Sequence, residues 1–268
     1  MVLLPRFAEE DPMIDFDRVE KRFGGRTVVG PLSFAVAEGQ FVALLGGSGS
    51  GKTTTLKMIN GLVTPDAGVV RVEGAVVGAG PLAPLRRRIG YVFQEVGLLP
   101  HMTVAENIAL GPRLAGWDRP RTAARTSELL ELTALPDDVG PRLPAELSGG
   151  QRQRVGVARA LAAGPRLMLM DEPFGALDPI TRDALGRDYR ALHERLGLTT
   201  VMVTHDVTEA LLLADRIVVL GEGRILADGT PRAVMAMKDD ARVSAMMATP
   251  VEQARRLEAL ASGAAPDG

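Results

Sequence analysis

Four short apolar runs punctuate the chain, each bounded by turn-forming residues. Phe41 to Leu45 ends abruptly in Gly46-Gly47-Ser48-Gly49-Ser50-Gly51, and Leu167 to Met170, Thr200 to Thr204 and Ile217 to Leu220 have the same character. Runs this short and this continuously apolar predict strands buried on both faces. The last of them is followed by Gly221-Glu222-Gly223, which predicts a hairpin turn. Behind the glycine loop, Lys52 to Asn60 predicts a helix. Buried strands alternating with helices predict an α/β fold with a mainly parallel sheet covered on both faces.

Between Glu95 and Ala163 the pattern changes. Thr122 to Leu132 and Gly150 to Leu161 read as helices with little strand signal around them, so residues 95–163 are expected to form a helical lobe inserted into the α/β core. From about Arg232 onward the chain reads as one or two helices rich in Met and Ala. It ends in Ser262-Gly263-Ala264-Ala265-Pro266-Asp267-Gly268, expected to fray. No internal repeat is visible.

Composition narrows the classes. A length of 268 residues suits one large α/β domain, or one domain with an attached lobe. A hydrophobic fraction of 46% with 24% charged residues excludes wholesale disorder. The formal net charge of −2 provides no global basic field, so nucleic acid is not an expected partner. With no cysteine, disulfides and thiolate metal sites are excluded, which fits a reducing cytosol. Met1 to Phe7 is apolar only briefly before Glu9, Glu10 and Asp11, too short and too acidic for a signal peptide. No apolar run approaches the roughly 20 residues a membrane span needs. If the chain works at a membrane, other subunits must provide the passage.

Gly46 to Thr53 reads G-G-S-G-S-G-K-T, a full Walker A pattern. Its glycines let backbone N–H groups turn inward around phosphate oxygens, and the following helix points its positive end at the same anion. Lys52 would reach the β- and γ-phosphates, and the Thr53 hydroxyl would ligate Mg²⁺. The run Leu167-Met168-Leu169-Met170 ends in Asp171-Glu172. Two acids after a strand are often a solvated loop; paired with a phosphate loop, Asp171 could hold the Mg²⁺ shell and Glu172 could orient and deprotonate the attacking water.

Leu147-Ser148-Gly149-Gly150-Gln151 decides the family. Here the chain resembles the ABC transporter ATPases, whose signature is LSGGQ. A serine and two glycines at a helix start make a second anion cradle, from Ser148, Gly149, Gly150 and Gln151. The resemblance covers roughly residues 14–232, leaves residues 233–268 as a C-terminal helical extension, and implies a P-loop cassette with an N-terminal antiparallel β part. It implies roles for single residues. Phe23 stands where the family places an aromatic that stacks on adenine; the alternative is a core phenylalanine. Gln94, in Tyr91-Val92-Phe93-Gln94, matches the Q-loop glutamine that senses Mg²⁺ and water; an isolated glutamine would be a surface residue. Asp178, in Gly175-Ala176-Leu177-Asp178, matches the D-loop aspartate that crosses a dimer interface, or simply caps the next helix. His205 matches the switch histidine that contacts the γ-phosphate, or is a hydrogen-bonded structural residue at a strand end. Two departures are slight: Thr53-Thr54 stands where Ser is commoner first, with both hydroxyls suited to Mg²⁺, and Gly175 stands where Ser is frequent.

The resemblance also implies assembly. Walker A of one cassette faces the signature helix of another with ATP between them, so one set of motifs implies a homodimer. Transmembrane permease subunits and, indirectly, an extracytoplasmic substrate-binding protein would complete a transporter, with this chain peripheral on the cytoplasmic face of the cell membrane. The string from Ile89 to Ile108 and the stretch Ala248-Thr249-Pro250-Val251-Glu252-Gln253-Ala254 are similar to ATPases of quaternary-amine osmoprotectant importers, which move glycine betaine, choline or carnitine. An importer of another polar solute, such as an amino acid, is the alternative; a non-transport ABC ATPase is a further one. The stretch after Pro231 is shorter than the 50 or more residues a folded domain usually needs, so no regulatory domain is expected within it.

Overall fold

The structure, a computed structural model, describes residues 12–262. The leader expectation at Met1 to Asp11 and the frayed end from Gly263 fall outside the described residues.

A six-stranded sheet forms the centre: β3 (Phe41–Leu45), β6 (Ile89–Val92), β7 (Leu167–Asp171), β8 (Thr199–Thr204), β9 (Arg216–Gly221) and β10 (Arg224–Gly229), in the order β10-β9-β3-β8-β7-β6. All neighbours run parallel except β10, which returns antiparallel on β9 through the expected hairpin. The continuous apolar runs have a simple cause, because alternate residues enter two different cores. Phe41, Ala43, Leu45, Met168, Met170, Met202, Ile217 and Val219 join one cluster. Val42, Leu44, Leu167, Leu169, Val201, Val203, Val218 and Leu220 join the other.

The second cluster is covered by α1 (Lys52–Ile59), through Leu56, Met58 and Ile59, and by an antiparallel sheet. That sheet, ordered β2-β1-β4-β5, comprises β1 (Ile14–Phe23), β2 (Arg26–Val36), β4 (Ala67–Val72) and β5 (Ala75–Val76). It is the N-terminal β part that the resemblance implied. One buried side chain in two suffices to hold it, as in Ile14, Phe16, Val70 and Val72, and Phe16 stacks on Phe34 at 4.6 Å.

Helices cover the first cluster. The insertion holds α3 (Val104–Leu114), α4 (Arg119–Leu132) and α5 (Gly149–Leu161), while α2 (Leu82–Arg88) precedes β6. Then come α6 (Pro179–Leu196), α7 (Val207–Leu213), α8 (Pro231–Ala236) and α9 (Ala241–Ser262). Helix α4 starts three residues before the predicted Thr122, because the Asp118 carboxylate accepts the Arg121 N–H and Pro120 suits the first turn. Val104, Ile108, Leu129, Val155 and Leu161 of the inserted helices share one apolar cluster with the sheet's Met168 and Met170. Val234, Val243 and Met247 join it too, so the boundary expected at residue 232 falls inside α8.

The segment between β6 and α3 is shaped by one side chain. Asn107 is fully buried, its Nδ2 donates to the Leu99, Met102 and Thr103 carbonyls at 3.0–3.1 Å, and its Oδ1 accepts the Leu99 N–H at 2.8 Å. A Thr103–Glu106 capping box closes the same helix start. Asn107→Ala is expected to lower unfolding stability by about 1–3 kcal/mol, because it strands buried backbone groups. Urea unfolding checks this, and an unchanged midpoint and slope would show that the loop closes without Asn107.

Candidate nucleotide site

The parallel register brings three strand ends together. Leu45 of β3 pairs with Thr204 of β8, and Asp171 of β7 pairs with Val203 one step back. The Glu172 N–H then donates to the Val203 carbonyl at 3.0 Å, extending the ladder by one rung. Whatever follows these strands therefore shares one edge of the sheet.

After Leu45 comes the glycine loop. Gly46 takes φ +154°, and a Cβ there would lie 2.2 Å from the Leu220 carbonyl oxygen. Gly51 takes φ +96°, and its Cβ would lie 2.7 Å from the Val28 carbonyl oxygen. No side chain fits at either position. Gly47, Ser48 and Gly49 form the exposed crest, while the buried Ser50 hydroxyl has no partner among the described residues. Gly51 caps α1 without a side chain, so no carboxylate or hydroxyl competes for the first-turn amides. Lys52 folds over the loop and donates to the Gly46 and Gly47 carbonyls at 2.7 and 2.9 Å. Burial lowers the Lys52 ammonium pKa, and the Glu172 and Asp171 carboxylates pull the other way.

The acidic pair closes the other side. The Thr53 hydroxyl donates to Asp171 Oδ1 at 2.8 Å, and Thr54 sits half-buried beside it in α1. Tyr91 reaches Asp171 Oδ2 at 3.5 Å, with its phenol pKa pushed up by burial and then by that carboxylate. Glu172 adopts φ +46°, an uncommon conformation for a residue with a side chain. Its Oε2 meets His205 Nδ1 at 3.1 Å and Gln94 Nε2 at 3.4 Å. Lys52, Thr53, Asp171, Glu172, Gln94 and His205 thus form one cluster.

These residues fit a magnesium nucleotide. A buried ammonium, the uncapped start of α1 and an orphaned Ser50 hydroxyl match phosphate, and the Thr53–Asp171 oxygen pair matches a hard cation. Among the described residues no three acidic, histidine or cysteine side chains gather into a metal cluster. A Mg²⁺ ion sharing its shell with phosphate and water needs no such cage.

Other predicted residues lie apart from this cluster. Ser148 caps α5 with Gln151 in a reciprocal capping box, at 3.2 and 2.9 Å. Gly149 and Gly150 pack against Leu177 and Thr181 instead; a Cβ on Gly150 would lie 2.7 Å from Thr181 Cγ2. Asp178 caps α6 by accepting the Thr181 N–H at 3.0 Å, and its pKa is lowered by the Thr181 hydroxyl first and then by that N–H. Phe23 is 51% exposed at the tip of the β1–β2 hairpin, five residues before the Val28 carbonyl that backs Gly51. It is therefore not a core phenylalanine.

Three participants were not singled out from the sequence. Tyr91 supports Asp171. Arg159, from α5, donates to the Val96 and Gly97 carbonyls at 2.6 and 2.7 Å and so ties the segment after Gln94 to the Ser148 helix. Asp206 caps α7 directly after His205. The Asp206-to-Glu209 spacing is a visible helix-start signal, and Arg159 stands out as a cation inside an apolar stretch.

Fold and site together define a P-loop ATPase cassette. A sequence profile described as ABC transporter matches residues 29–175. The glycine betaine uptake ATP-binding protein YehX of Escherichia coli is 50% identical over 83% of this chain and 72% of its own length. The carnitine transport ATP-binding protein OpuCA of Listeria monocytogenes is 48% identical over 83% of this chain. The chain spans only 56% of that relative. A sulfate/thiosulfate import ATP-binding protein CysA of Caulobacter vibrioides is 47% identical over 91% of the chain and 71% of its own length. Among solved structures, the dimeric post-hydrolysis state of the cassette MJ0796 with ADP and Pi superimposes with a TM-score of 0.75. It is 33% identical and covers 82% of this chain and 99% of its own. The chain belongs to the ABC transporter family.

Gly46→Ala is expected to leave a folded protein that binds nucleotide about tenfold or more weakly, since moving the loop away from Leu220 forfeits amide–phosphate bonds. Displacement of a fluorescent ATP analogue measures this; wild-type affinity would mean that the loop tolerates a Cβ.

Proposed function

We propose that this chain binds and hydrolyses ATP to energise an ABC importer of quaternary-amine osmoprotectants such as glycine betaine or choline. The observation that carries the ATPase half is the cluster at the strand ends, where Glu172 is within hydrogen-bond reach of His205 and Gln94 and beside Lys52, Thr53 and Asp171. The solute assignment rests on the named relatives.

Gly46 to Gly51 wrap the β- and γ-phosphates with backbone N–H groups, and Lys52 exchanges the loop carbonyls for phosphate oxygens. Thr53, Asp171 and Gln94 supply oxygen ligands on the cation side, with Thr54 next in line. A Mg²⁺ ion held by these residues would supply neutralisation of the phosphate charge. Glu172 accepts a proton from the attacking water, and His205 meets the γ-phosphate while holding the Glu172 carboxylate. Phe23 stacks on the adenine.

Residues 14–232, continued by α8 and the start of α9 on the same core, act as the cassette. The Ser148–Gln151 cradle presents the Gly149 and Gly150 amides of its helix start to a nucleotide held by a second copy, and Asp178 lies along the same contact. The dimeric cassette MJ0796 supports this arrangement. The chain sits peripherally on the cytoplasmic face against permease subunits, a reading that the named transporter relatives support. Among the described residues no helix is long and apolar enough to cross a membrane. An extracytoplasmic substrate-binding protein delivers the solute.

Glu172→Gln is expected to bind ATP but hydrolyse it about 10²–10⁴-fold more slowly, and to accumulate as a closed dimer. Phosphate release and size-exclusion chromatography with ATP check it, and wild-type turnover would remove Glu172 as the base. Lys52→Ala should instead weaken nucleotide binding about tenfold or more in the displacement assay. The sulfate/thiosulfate relative favours a second reading, an importer of another polar solute. Uptake of labelled glycine betaine and choline at high salt separates the two. Loss of both uptakes with Glu172→Gln supports osmoprotectants, and uptake indifferent to this substitution, with the ATPase intact, points to the other class.

A further inference from the structure

Two segments adjoin the Glu172–His205 pair, one following Glu172 and one following His205, and the Arg182 guanidinium spans them. Arg182, one turn into α6, is mostly buried, and its Nη2 donates to the Leu177 carbonyl at 3.0 Å and to the Gly175 carbonyl at 3.4 Å. Its Nη1 donates to Asp206 Oδ2 at 3.2 Å, and its Nε faces Glu209 Oε1 at 3.8 Å. The first pair of contacts lies in the segment between Glu172 and Asp178; the second pair lies immediately after His205.

Each acidic partner is divided between two tasks. Asp206 uses Oδ1 to accept the Thr208 and Glu209 N–H groups that start α7, leaving Oδ2 for Arg182. Glu209 uses Oε2 to accept the Thr204 hydroxyl at 2.6 Å, leaving Oε1 for Arg182. Thr204 in turn accepts the Asp206 N–H at 2.9 Å. His205 therefore sits between two neighbours that are both fixed, and both fixings lead to Arg182.

Helix termination does not account for this arrangement. Asp178 already caps α6, and Asp206 Oδ1 already caps α7. What the guanidinium adds is a planar fork that sets the distance between the Gly175–Leu177 backbone and the His205 segment. The Gly175 N–H donates to the Glu172 carbonyl at 3.3 Å, and His205 Nδ1 reaches Glu172 Oε2, so the ring of contacts closes on the proposed base.

We infer that Arg182 is a positioning residue that holds the His205–Glu172 pair in register with the Gly175–Asp178 loop. The inference rests on the ATPase reading of the cluster given above. The bonds of Arg182 go to Gly175, Leu177 and Asp206 rather than to His205 or Glu172, so it acts through the placement of that pair. Because a displacement of about 1 Å at a reacting group costs on the order of a hundredfold, loss of the fork should act on turnover rather than on binding.

The test uses the full chain and four substitutions. Arg182→Ala removes the fork, and Arg182→Lys keeps a cation while losing the planar geometry. Arg187→Ala, on the same helix, removes a guanidinium bonded to Asp183 and serves as a control. Glu172→Gln reports on the parent reading. Phosphate release over a range of ATP concentrations separates kcat from KM, analogue displacement gives nucleotide affinity, and thermal melting reports folding.

Arg182→Ala should lower kcat about 10–100-fold with KM and nucleotide affinity within about twofold of wild type. Arg182→Lys should fall between the two, and Arg187→Ala should match wild type. If Arg182→Ala fails to fold, Arg182→Lys carries the test alone. Wild-type kcat in the folded variant, or loss of rate and affinity in parallel, overturns the inference. Absence of phosphate release by the wild type, or full turnover by Glu172→Gln, overturns the ATPase reading and this inference with it.

Discussion

The register of β3, β8 and β7 is the constraint on which the chemistry depends. Because Leu45 lies opposite Thr204, and Asp171 opposite Val203, the phosphate loop, the acidic pair and His205 leave the sheet at one edge within hydrogen-bonding reach. Side chains alternate across a strand, so a slip of one residue would exchange the two cores and turn Asp171 and Thr204 to the wrong faces. The two apolar clusters on either side of the sheet oppose such a slip. Burial thus does more than stabilise the domain; it sets the distances in the site.

On that frame the polar groups are held under tension of opposite kinds. Lys52 is drawn toward neutrality by burial and toward charge by Asp171 and Glu172. Glu172 sits at positive φ, held by the Val203 carbonyl, the Gly175 N–H and His205. Strained backbone of this kind persists only where its surroundings over-determine it, and it concentrates where geometry serves function. The Ser148 cradle lies on another part of the surface and has its own capping box. Arg159 links its helix to the segment after Gln94, so a shift at one is felt at the other. The proposed dimer makes use of this separation, since each copy brings one half of a site on a rigid element.

How far the sequence could be read follows the range of the interactions. The buried strands were legible because both faces are apolar, and the helices beginning at Lys52 and, within one residue, at Gly149 because glycines and a capping serine mark them. The antiparallel strands were less so. In β1, Ile-Asp-Phe-Asp-Arg-Val-Glu mixes buried and solvated positions, and only the resemblance placed a β part there. Residue types with a fixed chemistry, such as Lys52, Asp171 and Glu172, could be named directly. Arg182, Arg159 and Tyr91 could not, because their partners lie across space: Asp206, the Val96–Gly97 carbonyls and Asp171. Asp178 shows a limit of another sort. Its capping of α6 is visible in the structure, and a contact with a second copy is compatible with that cap, because each carboxylate oxygen can accept more than one bond.

The composite site is the central claim, and mixing two inactive variants tests it most directly. Lys52→Ala spoils the phosphate loop and leaves the signature helix intact; Ser148→Arg does the reverse. Each alone should hydrolyse almost no ATP. Mixed under conditions that allow subunit exchange, they form heterodimers in which one site joins an intact loop to an intact signature. The account predicts phosphate release well above the sum of the separate variants, appearing only on mixing. Activity that never exceeds that sum, with heterodimers demonstrably present, would contradict it.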